Sequence, residues 1–228
     1  RPSMAAIRNL LALFKADLAK LPGEDLERLR ETAAVQAKAR IVESETAASA
    51  AATHAANALG ENRTILTHSL SSTVLYVLHD LKARGLRAIV TESRPLFEGH
   101  ALAKRLSEWA VPTTLITDAE IGLFIHEADA VLVGADTVLK NGDVINKAGT
   151  YPLALAARDC GLPFFVCAEG FKWMTDATEP KLEAMNPAEL GAPAFPHVTV
   201  QNVYFDRTPS RLVTAYFSEQ GRTDGAAP

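Results

Sequence analysis

An α/β fold, in which a parallel sheet carries helices on both faces and a helical region precedes it, is predicted by three observations. The chain of 228 residues is 48% hydrophobic, enough to bury one principal core with an appendage. From Thr64 onward, short β-rich runs alternate with stretches of helical period, the order that builds parallel sheets. Before Thr64 the sequence is rich in Ala, Leu, Glu, Lys and Arg with apolar residues at helical spacing, which predicts helix. The expected division is a helical N-terminal region over 1–60, an α/β domain over 61–220 and a disordered tail over 221–228.

The N-terminal region runs from Met4 to about Leu59, with a break at Leu21-Pro22-Gly23 that ends one helix before the next begins. Its alanines between Ala47 and Ala58 are small enough for close packing against other elements. The runs TILTH, LRAIVTES, PTTLIT, ADAVLVGAD and PFFVCAEG read as five strands. Between them SSTVLYVLHDLKARG, GHALAKRLSEWA, AEIGLFIHE and GTYPLALAARDCG read as helices. Asn141-Gly142, flanked by β-branched and aliphatic residues, signals a hairpin projecting over the strand ends. Pro180, Pro187, Pro193 and Pro196 make the following stretch an irregular wrap. TPSRLVTAYFSEQ reads as a helix capped after Thr208-Pro209, and GRTDGAAP as disordered.

A formal charge of −4, a pI near 5.9 and the lack of a Lys/Arg run argue against direct nucleic-acid binding and against an anionic membrane surface. No apolar run reaches membrane-spanning length. Cys160 and Cys167 lack the spacing of a zinc site and read as reduced thiols of a cytoplasmic protein. His68, His79, His100 and His126 show no ligand spacing, so no metal is expected. Neither GxxxxGK[ST] nor GxGxxG occurs, so neither ATP hydrolysis nor a dinucleotide cofactor is expected.

In open α/β sheets the ligand site lies beyond the carboxyl ends of the strands. After the first strand, His68 is followed by Ser69, Ser71 and Ser72 at a helix start, where free N–H groups and the helix dipole favour an anion such as phosphate. Serines at a helix start also serve as plain caps, and both readings stand for this segment. Glu92 and Arg94 end the second strand and offer an acid for a sugar hydroxyl and a guanidinium for phosphate, or a salt bridge closing the loop. Asp136 follows AVLVG directly and is the best single catalytic or ligand-orienting residue, with turn capping as its alternative role. Asn146 and Lys147 precede the helix begun at Gly149-Thr150, where a cation gains little from the dipole and a ligand explains it better. Cys167, in an apolar strand, reads as an inert core residue rather than a reactive thiol.

The segments TILTHSLSSTVLYVL, VTESRPLFEGHALAKRL, LITDAEIG, VLVGADTVLKNGDVINKAGTYPLALAAR and NVYFDRTPSRLVTAYFSE, spanning Thr64 to Glu219, resemble the alpha, beta and delta subunits of eukaryotic translation initiation factor 2B. They resemble equally the sugar-phosphate isomerases of that superfamily, acting on 5-methylthioribose 1-phosphate or ribose 1,5-bisphosphate. The resemblance implies a Rossmann-like sheet, a homodimer and a phosphorylated small molecule as ligand. In the isomerases it implies a cysteine after the histidine of the LTH segment and an aspartate in the GAD segment. Asp136 matches the aspartate, Asn146 and Lys147 match substrate-binding positions, and Ser69 stands where the cysteine would be. Serine hydrogen-bonds a sugar hydroxyl but is a far poorer acid than a thiol. The relatives' Arg-Gly phosphate-binding element has no match before Thr64, where Arg28, Arg30 and Arg40 fall on a charged helix face. Three functions follow: a sugar-phosphate-binding protein related to the initiation factor, an aldose-ketose isomerase, or a structural homo-oligomer with a vestigial pocket.

Overall fold

The structure, a computed structural model, describes residues 4–19, 26–176 and 180–224. Two helices open the chain, α1 (Ala5–Leu18) and α2 (Leu26–Leu59); the Leu21-Pro22-Gly23 break lies outside the described residues. Buried positions on α2 begin at Ala48 and recur as Ala51, Ala52, Ala55, Ala56 and Leu59, the spacing of one helix face. Having only a methyl group to pack, these alanines let α2 lie against α3 (Ser72–Leu81) and a late strand, β9 (Ala215–Ser218). The close packing expected of the alanine run is therefore present, while the first half of α2 is largely exposed.

All five expected strands form: β1 (Thr64–Thr67), β2 (Arg87–Thr91), β3 (Thr113–Ile116), β4 (Ala130–Val133) and β7 (Phe164–Cys167). The helices α4 (Glu98–Glu108), α5 (Ile121–Phe124) and α6 (Thr150–Asp159) join them with α3. With β9 and β10 (Gly221–Asp224) they make a seven-stranded sheet in the order β10-β9-β7-β4-β1-β2-β3. Every pairing is parallel except β10 with β9. Neighbouring residues enter opposite cores, as the period of two requires. Ile65, Val90 and Leu132 pack with α2, α3 and α4, whereas Leu66, Ile89 and Val131 pack with α5 and α6. This is the α/β class expected, with both faces covered.

Asn141-Gly142 turns the expected hairpin, β5 (Thr137–Val138) to β6 (Val144–Lys147), with Thr137 opposite Ile145. A third antiparallel strand, β8 (Phe205–Thr208), pairs with β6 to complete a small sheet.

Two expectations at the carboxyl end are corrected. The segment after Thr208-Pro209 is not one helix: a short 3-10 turn (Ser210–Leu212) leads into β9, which pairs parallel with β7. Pro209 follows β8 as the N-cap of that turn, but Ala215, Tyr216 and Phe217 are buried on both faces, an environment that favours extended backbone. Gly221–Asp224, expected as the start of a disordered tail, is the antiparallel edge strand β10; 225–228 lie outside the described residues. Between 180 and 204 the chain runs irregularly, with a 3-10 turn at Pro187–Leu190. No described helix is long and apolar enough to cross a membrane.

Candidate functional site

Strands β1 and β4 are neighbours in the sheet, yet α3 leaves β1 for one face and α6 follows β4 on the other. That reversal opens a crevice at the carboxyl ends. A cavity of about 280 Å³ lies there, lined by His68, Ser69, Ser71 and Ser72 after β1, Ala135 and Asp136 after β4, Asn146 of β6, and Lys172. Met4 and Ala6 at the start of α1 close it. Its volume is near the lower end of the ~300–1,000 Å³ usual for small-molecule sites.

The serine segment has a mixed role. Ser71 is the N-cap of α3, its Oγ accepting the N–H of Val74 at 3.4 Å, so the plain capping role applies at that residue. Ser72 follows in the first turn and borders the cavity, where its N–H, which a helix cannot satisfy from within, is placed to meet water or a ligand. Gly134 allows the approach of β4: a Cβ there would lie 2.4 Å from Ser71 Oγ. Ser69 is half-buried with φ of 67°, and its N–H donates to Ser93 Oγ at 2.7 Å. That N–H is thus committed inside the protein.

Asp136 is half-buried, and its N–H donates to the Ile145 carbonyl at 2.9 Å, tying the residue after β4 to the small sheet. Asn146 is buried and donates to Thr150 Oγ1 at 3.0 Å, leaving its carbonyl oxygen for other partners. His68 is also buried, held between Thr91 Oγ1 and the Ala148 carbonyl at 2.6 and 2.9 Å. Both ring nitrogens have protein partners, so His68 forms a wall of the cavity.

Three residues singled out in the sequence stand elsewhere. Lys147 is buried, its ammonium 2.7 Å from Glu98 Oε1 and 4.5 Å from the Tyr204 ring centre. The Arg94 guanidinium donates to the Leu190 carbonyl at 2.8 Å and lies over Phe97, while Asp118 accepts its backbone N–H. Glu92, half-buried, donates its N–H to the Ile116 carbonyl. None of the three lines the cavity.

Sequence reasoning missed Lys172. It sits at the end of a 3-10 turn (Gly170–Lys172) after β7, its ammonium 2.8 Å from Glu169 Oε2. Glu169 is buried and accepts Thr73 Oγ1–H at 2.8 Å through its other oxygen. The carboxylate thereby joins α3 to the turn and aims a cation at the cavity. Glu169 ends the run PFFVCAEG, and the lysine three residues on is the signal available in the sequence. Asp206 was also missed: its Oδ2 accepts the N–H groups of Gly149 and Tyr151 at the start of α6. Burial pushes its carboxyl up to about 6, against those N–H bonds. Cys167 is fully buried, and burial followed by the nearby Glu169 pushes its thiol up to about 12, in keeping with an inert core residue. Among the described residues no group of three or more His, Cys, Asp and Glu could hold a metal ion.

The model of the initiation factor 2 subunit family matches residues 1–225. The putative translation initiation factor eIF-2B subunit 2-like protein of Pyrococcus furiosus is 37% identical over 223 residues, covering 96% of this chain and 75% of its own length. The ribose 1,5-bisphosphate isomerase of Haloferax volcanii is 35% identical over 237 residues, with 97% of this chain and 71% of the relative covered. The crystal structure of the Pyrococcus horikoshii OT3 translation initiation factor eIF-2B superposes with a TM-score of 0.83 at 34% identity, covering 98% of this chain and 77% of that one. With the match running over nearly its whole length, the chain belongs to the initiation factor 2 subunit family.

Proposed function

We propose that the protein binds a phosphorylated sugar in the cavity at the strand carboxyl ends. One observation carries this reading: Lys172, the start of α3, Asp136 and Asn146 all border a single cavity. Phosphate is recognised at the Lys172 side, by the ammonium and by the N–H group of Ser72 at the start of α3. Ser69, Asp136 and Asn146 supply acceptors and donors for sugar hydroxyls. Similarity to a ribose 1,5-bisphosphate isomerase supports the ligand class. The alcohol at Ser69, which stays protonated at neutral pH and transfers protons poorly, supports a binding rather than a catalytic role.

Calorimetry with ribose 1,5-bisphosphate and 5-methylthioribose 1-phosphate tests the reading, with NMR of the same samples to detect a ketose. Binding without turnover is expected, and Lys172→Ala is expected to weaken it about 10- to 100-fold, the range for losing a charge-assisted hydrogen bond. Turnover by the unaltered protein would favour the isomerase instead, for which Asp136 on the cavity wall is the observation in hand. No binding of either compound would sink both readings.

A further inference from the structure

The cavity takes its lining from two sheets, so its geometry depends on how one is held against the other. Ser69 to Ser72 follow β1 of the large sheet, and Asn146 belongs to β6 of the small one. His68 joins them. The Ala148 carbonyl, 2.9 Å from Nε2, can only accept, so Nε2 carries the proton. Burial holds the imidazole below its usual pKa, leaving a neutral ring whose Nδ1 is an acceptor. The Thr91 hydroxyl, 2.6 Å away, therefore donates to Nδ1. Asp118 is 3.9 Å from Nδ1 and instead accepts the N–H groups of Ser93 and Arg94 at 2.8 and 2.7 Å.

With the Thr91 proton so committed, the Ser93 hydroxyl is the donor toward Thr91, whose Oγ1 and carbonyl lie 3.1 and 3.2 Å away. Ser93 Oγ in turn accepts the N–H of Ser69. Ser69 and Ser93 both adopt left-handed backbone, at φ of 67° and 62°, which residues with side chains hold only when the surroundings fix it. On the other side of the ring Gly149, at φ of 114°, has space for nothing larger: a Cβ would lie 2.7 Å from the imidazole. Its N–H is held by Asp206.

We propose that His68 is a positioning residue for the ligand, fixing Ser69 and the Ala148-Gly149 turn in one arrangement through Thr91 and Ser93. The inference rests on the sugar-phosphate reading and assigns His68 an indirect role in it. Thr91 and Ser93 are wholly buried and line no part of the cavity, so a change at Thr91 reaches the ligand only through this chain of bonds.

Thr91→Val keeps the β-branched shape and removes the hydroxyl; Thr91→Ser keeps the hydroxyl. Calorimetry with ribose 1,5-bisphosphate and 5-methylthioribose 1-phosphate is expected to show affinity about three- to tenfold lower in Thr91→Val, the worth of one hydrogen bond, and near the unaltered value in Thr91→Ser. Unchanged affinity in Thr91→Val, or an equal loss in both variants, would overturn the proposal. Imidazole 15N NMR examines the ring without ligand: a proton on Nε2, none on Nδ1 and a neutral ring at about pH 7 are expected. A proton on Nδ1, or a ring charged at about pH 7, would also overturn it. Should the unaltered protein bind neither sugar phosphate, the functional reading fails, and the positioning role fails with it even where the 15N pattern is as expected.

Discussion

Under the proposed function, Ser69 is the residue at which binding and turnover would part. It borders the cavity with Asp136, its backbone already held by Ser93, so exchanging oxygen for sulfur alters the proton-transfer group with little demand on the fold. A thiol with a pKa near ~8.5 has a thiolate fraction at neutral pH, whereas an alcohol has almost none. Ser69→Cys is expected to raise conversion of an aldose 1-phosphate to the ketose by about 100-fold or more, the scale of general acid-base catalysis. Adding Asp136→Asn is expected to abolish the gain, and NMR of the product measures both. Asp206 poses a different question, since a carboxylate buried at a cost is retained beside the α6 N-terminus. Its pKa rises from the usual 3.8 to about 6, so between about pH 4 and 6 the folded state binds the extra proton and stability falls as pH rises through the folded value. The shift of about two units corresponds to at most ~3 kcal/mol. Asp206→Asn, which retains an acceptor for Gly149 and Tyr151, is expected to lack this slope. Its stability relative to the unaltered protein should grow from pH 4 to pH 7 in urea titrations, and a parallel pair of curves would refute the assignment.

At the scale of elements, what was legible in the sequence was whatever had a local cause. TILTH, LRAIVTES and ADAVLVGAD became strands because β-branched and aliphatic runs pack on both faces of a parallel sheet. Asn141-Gly142 became a hairpin turn because its φ of 83° at Gly142 suits glycine. VTAYFSE was misread because a helix period and a buried strand look alike over seven residues. Its strand character comes from β7, which lies about fifty residues away and offers Phe165 and Cys167 opposite Ala215 and Phe217. The site divides in the same way. Ser69, Ser71, Ser72, Asp136 and Asn146 follow from strand ends and motif positions, and all border the cavity. Lys172 depends on a short turn and on the buried Glu169, and Arg94 and Lys147 were drawn off by Leu190 and Glu98. Such partners come from distant segments, and strand-end position alone does not reveal them.

For the whole molecule, the question is how firmly the small sheet is joined to the large one, because the cavity spans the join. One connection is the His68 contact with Ala148; another lies at the far end of the hairpin. Tyr216 of β9 is buried and donates its hydroxyl to the Gly142 carbonyl in the turn. Beside it Asp143 accepts from Arg207 Nε and from the Ser210 N–H, at 2.7 and 2.8 Å. Burial alone would raise the Asp143 carboxyl, but the Ser210 and Arg207 bonds outweigh it and hold the group below its usual range. Tyr216→Phe keeps the ring against Trp173, whose centre is 5.3 Å away, and leaves the buried Gly142 carbonyl without that donor. The cost is expected to be about 1–2 kcal/mol, a fall in Tm of roughly 2–8 °C for a chain of this size. If the two sheets unfold as one unit, the urea m-value stays unchanged, because the surface exposed on unfolding is the same. A lower m-value or a second transition in Tyr216→Phe would instead mean that the hairpin sheet opens separately, and that the Tyr216 hydroxyl is what makes the unfolding of the two sheets cooperative.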